Sequence, residues 1–367
     1  MARIGLDARL THYRVGGISR YITAIISGFE DLQPAQEITL LQSRKSRRML
    51  SARFPSARLW TPPHHRLERA ALSLELWGRR FDLLHSPDFI APYRAARRHI
   101  ITVHDLSFIH YPEYITAESR RYYNGQIAAS VDRADHILVD SQATRRDLID
   151  ILKAPASGIT VHTLGVDAMF RPLPPEERAP VISALGLPAE YALFVGTLEP
   201  RKNLIGLAKA YRSLLLDLPD APPLVIAGRP GWHFEQLMAD LNDVGINERL
   251  LLKLDVSDEQ LPALYSGALA LLAPSFYEGF GLTALEAMAC GTVPIVSDAA
   301  SLPEIVGDVG LLIDPHDIDS IGGALLKALT DSDWRAAQSA AALQRAAGFR
   351  WIDTARCVLD CYNAVLN

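Results

Sequence analysis

The chain has 367 residues, 49% apolar and 22% charged, with a net charge of −5 and a mean hydropathy of +0.08. That length exceeds one ordinary core and suits two domains of roughly 170–190 residues each. No apolar stretch approaches the ~20 uncharged residues that span a bilayer. The start, 1–7, reads as a β-strand rather than a signal peptide, since Asp7 and Arg9 follow only a short apolar run.

Short apolar runs at 3–6, 38–41, 83–85, 100–103, 137–139 and 159–161 predict strands, with helical patterns at 18–32 and 119–133 between them. Ser141 follows one such run and precedes a helical stretch at 143–152, the position of an N-cap. Strand–helix alternation of this kind predicts a parallel, doubly wound α/β sheet. It breaks at Phe170-Arg171-Pro172-Leu173-Pro174-Pro175, where prolines that no helix interior or central strand accepts predict a linker over 171–190. A second series follows, with strands at 192–195, 224–227, 250–253, 269–272, 293–296 and 311–313. Its helices fall at 204–218, 234–244, 282–289 and 318–329, and Ser257 with Gln260 has the spacing of a capping box. The chain thus divides into a domain at 1–170, the linker, a domain at 191–350, and an amphipathic helix at 351–367 free to pack back on the first domain.

The modest net charge hides an asymmetry. Residues 1–170 carry 23 Lys and Arg against 17 Asp and Glu, and the remainder carries 14 against 25. Arg44, Lys45, Arg47 and Arg48 form one basic run, and Arg94, Arg97 and Arg98 another. Such a face suits anionic lipid headgroups or a diphosphate-bearing acceptor, and a solvated arginine-rich surface accounts for it equally well. Nucleic acid is not expected, because the chain is acidic overall and carries no recognisable binding module. The three cysteines, Cys290, Cys357 and Cys361, lack the spacing of zinc ligands, and no histidine set supplies one, so no metal is expected and a reduced cytoplasm is the setting.

Open parallel sheets bind ligands at the carboxyl ends of their strands, so function is expected in the loops there. The richest such loop is Pro274-Ser275-Phe276-Tyr277-Glu278-Gly279-Phe280-Gly281-Leu282-Thr283, which runs into a helix carrying Glu286. Gly279 and Gly281 permit close backbone approach, and the N–H groups of Phe280 to Thr283 fall at a helix N-terminus, a natural anion site. Two carboxylates beside it suit a ligand with phosphate and several hydroxyls; an ordinary turn with solvated glutamates is the alternative. Arg201-Lys202-Asn203 likewise follows a strand and opens a helix, and two adjacent cations there match a diphosphate, although such pairs are more often surface charge. Val15-Gly16-Gly17-Ile18 and His104-Asp105 follow strands in the first half. The histidine suits a hydroxyl contact or a base. A dehydrogenase is disfavoured, since no G-x-G-x-x-G follows the first strand.

In this order the residues resemble glycosyltransferase family 4 over nearly the whole chain. Glu278 and Glu286 fit its E-x7-E signature, and Gly196-Thr197-Leu198-Glu199-Pro200-Arg201-Lys202-Asn203 is similar to its donor-phosphate loop, in the wording of mannosyl- and rhamnosyl-type members. Gly16-Gly17-Ile18-Ser19-Arg20-Tyr21, His104-Asp105-Leu106 and Gly165-Val166-Asp167 fall where that family has related motifs. The resemblance implies a GT-B fold, two Rossmann-like domains facing across a cleft. It implies a retaining transferase that takes a nucleotide sugar without a metal or other cofactor. By the same resemblance Arg201 and Lys202 hold the diphosphate, with Thr197 replacing a cation that many members carry. Glu278 and the backbone of Gly279 to Leu282 hold sugar hydroxyls, Glu286 the ribose, and His104 the transferred sugar. Gly16 and Gly17 lie near the phosphates and the acceptor, and Gly228-Arg229 is in the region of the base.

The wording leans toward mannose from GDP-mannose and an acceptor saccharide, free or on a lipid diphosphate, in surface-polysaccharide synthesis. The expected location is the cytoplasm, at the inner face of the membrane if the basic run binds it. Rhamnosyl, other deoxyhexosyl and glucosyl transfer from dTDP-, GDP- or UDP-sugars stays open. A nucleotide-sugar 2-epimerase and a non-catalytic nucleotide-sugar binding protein are the readings from other classes.

Overall fold

The computed structural model describes residues 1–13 and 16–367; of the first glycine loop, Val15 lies outside the described residues. Two compact units emerge. The first comprises Met1–Ile109, Ala117–Gly165 and Arg350–Asn367, and the second His110–Thr116 and Val166–Phe349.

The first unit is built on β1 (Arg3–Asp7), β2 (Glu37–Ser43), β3 (Ser56–Leu59), β4 (Phe81–Ser86), β5 (Ala96–Val103), β6 (His136–Val139) and β7 (Ile159–Val161), in the order β3-β2-β1-β4-β5-β6-β7. The second holds β8 (Ala192–Val195), β9 (Leu224–Ala227), β10 (Leu250–Lys253), β11 (Ala270–Ala273), β12 (Pro294–Ser297) and β13 (Leu311–Ile313), in the order β10-β9-β8-β11-β12-β13. Neighbouring strands are parallel throughout both sheets. Each unit is therefore Rossmann-like. Helices cover both faces of such a sheet, which is why the central strands read as unbroken apolar runs. In the second unit Phe194, Ile226 and Leu272 pack with Leu207, Leu241 and Leu325 from the helices Leu204–Asp217, Phe234–Val244 and Ile318–Thr330.

Local signals place several element ends. Ser141 Oγ accepts from Thr144 N–H at 3.1 Å, and Asn203 Oδ1 from Gly206 N–H at 3.2 Å. The Ser257–Gln260 capping box forms, closing a 3-10 turn that leads into the helix Leu261–Gly267. The stretch read as a linker, 171–190, carries the helix Pro175–Ala184 and lies within the second unit. Pro175 occupies the first turn, where its missing N–H breaks no bond, although Pro180 sits further inside.

The final helix, Trp351–Leu366, belongs to the first unit and packs on the helix Gly17–Leu32. Their approach is close enough that a Cβ on Gly28 would lie 2.4 Å from Ala355 Cβ. Gly28→Ala is accordingly expected to destabilise by about 1–3 kcal/mol, read as a lowered Tm, whereas substitution at Gly125, whose Cβ would meet nothing within 4 Å, leaves no clash.

Candidate functional site

The loops after β8, β9 and β11 are tied together by their backbones. Leu198 N–H donates to the Arg229 carbonyl at 2.8 Å, and Gly231 N–H to the Leu198 carbonyl at 3.1 Å. A Cβ on Gly228 would fall 1.8 Å from the Gly196 carbonyl oxygen, so the loops meet only because that position lacks a side chain. Thr197 and Arg229 are exposed beside this seam. Pro200–Lys202 form one 3-10 turn that ends at Asn203, whose amide also donates to the Pro315 carbonyl at 2.7 Å. Phe276 N–H donates to the Arg201 carbonyl at 3.0 Å, so the cationic turn and the β11 loop are fixed to one another.

That junction brings Arg201, Lys202 and Glu278 together. Arg201 Nη1 lies 3.1 Å from Glu278 Oε2, its Nη2 is 2.7 Å from Glu199 Oε1, and Nη1 also donates to the Tyr277 carbonyl. Lys202 Nζ and Ser275 Oγ both donate to Glu278 Oε1, the serine at 2.7 Å. Ser301 Oγ donates to the carbonyls of Glu278 (2.7 Å) and Phe280 (2.9 Å), fixing the loop around Gly279. The three charged side chains are only 13–14% exposed. Burial alone would raise the Glu278 pKa, but Lys202 and Arg201 outweigh it and hold the carboxyl at about 2. The two cations are thus offset by Glu278 and Glu199.

Gly281 then turns the chain with φ +104, which a side chain strongly disfavours, and opens the helix Leu282–Ala289 without a side-chain cap. The first N–H groups there, including those of Leu282 and Thr283, lie where an anion is favoured. Glu286, inside this helix, is 3% exposed and accepts from the Tyr265 hydroxyl at 2.9 Å. It is no solvated surface glutamate.

In the first unit Gly16 precedes the helix that starts at Gly17, and Tyr21 of that helix meets His104 edge-on with centroids 5.1 Å apart. Arg9, which precedes the short helix Leu10–Tyr13, is a 1%-exposed guanidinium bonded to Asp7, Glu68 and the Thr61 carbonyl. His104 Nδ1 lies 2.7 Å from Asp140 Oδ2, and Nε2 lies 3.1 Å from the Pro87 carbonyl oxygen. A carbonyl only accepts, so Nε2 carries a proton, and the carboxylate keeps a second on Nδ1. Burial opposes this charge, but Asp140 and Asp88 prevail and raise the pKa to about 9. These contacts favour a protonated, donating His104 at neutral pH over the base role that the sequence left open.

The C-terminal half, 176–345, matches the family model of the glycosyl transferases group 1, and 15–170 matches that of glycosyltransferase family 4. The chain is 38% identical to the O-antigen chain mannosyltransferase B of Escherichia coli, over 76% of this chain and 74% of that protein. The chain belongs to glycosyltransferase family 4. The Escherichia coli serotype-specific mannosyltransferase WbdA is 30% identical over 67% of the chain, which spans only 31% of that longer protein. Solved structures share the GT-B fold of this family-4 enzyme. WaaG, a glycosyltransferase involved in lipopolysaccharide biosynthesis, superposes with a TM-score of 0.77 at 17% identity, covering 98% of this chain and 99% of its own. Sucrose-phosphate synthase from Thermosynechococcus elongatus gives 0.77 at 20% identity, covering 100% and 99%.

Sequence reasoning about this glycosyltransferase missed Glu199, Ser275 and Ser301 as partners of the cluster, and Asp140 as the partner of His104. Ser275 and Glu199 sat inside the quoted motifs. Asp140 offered one signal, a carboxylate at the carboxyl end of β6.

Proposed function

We propose that the enzyme transfers mannose from GDP-mannose, with retention, to a saccharide acceptor, free or on a lipid diphosphate, in the synthesis of a surface polysaccharide. The observation that carries the reaction is the Arg201–Lys202–Glu278 cluster at the strand ends of the second unit. That the 38%-identical relative is a mannosyltransferase favours mannose.

An arriving diphosphate competes with Glu278 for both cations. Once they hold phosphate, the Glu278 carboxylate accepts from sugar hydroxyls, with the backbone from Gly279 to Thr283 beside it and Glu286 at the ribose. Thr197, Gly228 and Arg229 line the approach to the base, and Gly16 and Gly17 the phosphates. A Glu278 carboxylate engaged by sugar hydroxyls is not free to attack the anomeric carbon, which supports front-face substitution over a glycosyl-enzyme intermediate. The leaving phosphate takes the acceptor proton, while Arg201, Lys202 and the N-terminus of the helix Leu282–Ala289 stabilise its charge. His104 donates from Nε2 to the transferred sugar, which replaces the Pro87 carbonyl.

A thermal-shift panel of GDP, UDP and dTDP with their sugars tests the donor. A true donor at about 100 times its Kd stabilises by roughly 2.7 kcal/mol, and GDP-mannose is expected to lead. Acceptor-dependent release of GDP then separates transfer from epimerisation and from binding alone. A dTDP-sugar in first place would transfer the assignment to a deoxyhexose.

Peripheral membrane contact is part of this reading. Arg44 stacks on the exposed Trp60, with Cζ 3.2 Å from the ring centroid, and Glu75 ties Trp60 to a segment exposing Leu74 and Trp77. Aromatic and basic groups side by side suit an anionic interface. In the second run Arg97 and Arg98 lie in β5 instead, and Arg98 pairs with Asp135 at 2.7 Å. Binding to phosphatidylglycerol-containing vesicles at low salt, with release at high salt, is expected; no binding at low salt contradicts it. No helix among the described residues is long and apolar enough to cross a membrane.

A further inference from the structure

The first unit holds a cavity of about 170 Å³ that the proposed reaction does not use. It is lined by Arg69 of the helix Glu68–Glu75, Tyr93 of the loop between β4 and β5, His99 of β5, and Ser130 and Arg133 of the helix Ala117–Arg133. One water needs only about 10–15 Å³ of such space, so a tetrahedral oxyanion has ample room.

The lining is cationic and incompletely bonded. Arg69, 5% exposed, donates from Nε to the Ala91 carbonyl at 3.0 Å and from Nη1 to Gln126 Oε1 at 3.2 Å, neither of them an anion. Arg133 donates to the Tyr93 carbonyl, and both guanidiniums lie against the Tyr93 ring, 4.7 and 5.3 Å from its centroid. No Asp or Glu lines the cavity. Asp135, beside His99 in the fold, is taken by Arg98 Nη1 at 2.7 Å and by the His99 N–H at 2.8 Å. Burial and the Arg133 charge hold the Arg69 pKa below its ordinary value. Among the described residues, Ser130 Oγ and His99 Nδ1 find no hydrogen-bond partner although both atoms are sealed from solvent, and Ser130 is 1% exposed. Buried polar groups are nearly always bonded, so two orphans lining one cavity point to a ligand.

The chemistry of these groups selects its class. Water would satisfy the hydroxyl and the ring but leave two like charges side by side. A cation would be repelled, and an apolar ligand would strand four polar groups. An oxyanion accepts from both guanidiniums, the hydroxyl and a ring N–H at once, and donors on three separate elements suit the tetrahedral oxygens of phosphate better than a planar carboxylate. We propose that this cavity is a phosphate site, distinct from the donor cluster, that takes inorganic phosphate or the phosphate of a lipid headgroup. His99 precedes His104 by five residues of extended strand, about 16 Å, so the site also stands apart from the sugar contact assigned to His104. Arg94, exposed next to Tyr93, adds attraction for an approaching anion.

The His99 ring signals in NMR spectra of the full chain report on the site during titration with inorganic phosphate and, separately, with a short-chain phosphatidic acid. A ligand-dependent shift is expected, with about tenfold weaker binding in Arg133→Gln, an exposed change that does not put the fold at risk. Ser130→Ala removes only an orphaned hydroxyl, so without phosphate its Tm is expected to equal or exceed that of the wild type, while phosphate binds more weakly. The response is expected to survive in Arg201→Ala/Lys202→Ala. A response to the lipid but not to free phosphate makes the headgroup the ligand, and a response to free phosphate makes the ion sufficient. No shift with either probe, affinities unchanged in both Arg133→Gln and Ser130→Ala, or loss of the response in Arg201→Ala/Lys202→Ala would overturn the site.

Discussion

Arg201→Ala and Lys202→Ala are each expected to lower turnover with a nucleotide sugar by on the order of 10²-fold or more. In the proposed reaction both cations face the position where the leaving phosphate gains charge, and fixed charges in a water-poor site are worth more than in solution. The same changes also disturb the fold, because each removes a partner of the buried Glu278 carboxylate. Loss of one partner from a buried pair destabilises by about 3–5 kcal/mol where water cannot compensate. The two effects separate in a double variant. Lys202→Ala with Glu278→Gln removes the stranded charge, so Tm is expected to recover while activity stays low. Recovery of activity along with Tm would reduce Lys202 to a structural role.

Asp140→Asn is expected to lower activity roughly 10- to 100-fold at pH 8, the scale of a lost charge-assisted hydrogen bond. In the wild type His104 is cationic up to about pH 9, so activity is expected to fall as pH rises through 9. Stability follows the same sign. The folded pKa lies above the unfolded value near 6.5, so the contribution is complete below that value and lost as pH climbs through about 9. With Asp140→Asn the alkaline limb moves toward neutrality, since burial then acts against the charge with Asp88 as the remaining anion. Nitrogen chemical shifts of the His104 ring report this directly. A wild-type ring already neutral at pH 7.5 contradicts the assignment.

The sequence conveyed the strands well where both faces are buried: 100–103 and 269–272 read as central parallel strands, and β11 falls one residue later than expected, at Ala270–Ala273. It concealed β3, whose Ser56-Ala57-Arg58-Leu59 alternates with only two apolar residues and lies at the sheet edge. The glycine- and carboxylate-bearing loops were legible because their spacing is local. Pairings across long sequence distances were not: Arg201 meets Glu278 77 residues away, and His104 meets Asp140 36 residues away. No periodicity encodes such contacts. The placement of His110–Thr116 with the second unit was hidden for the same reason, as it depends on Tyr111 and Tyr114 stacking with Phe276. His104 shows the same limit: its contacts to Asp140 and to the Pro87 carbonyl, which favour a protonated donor, come from residues 36 and 17 positions away.

The central claim, that Arg201 and Lys202 cradle a donor diphosphate, is tested most directly by calorimetric titration of GDP and GMP into the wild type and the Arg201→Ala/Lys202→Ala double variant. The expected result is a wild type that binds GDP far more tightly than GMP, with that preference lost in the double variant. Equal affinities in the wild type, or a GDP preference that survives the double substitution, would contradict it.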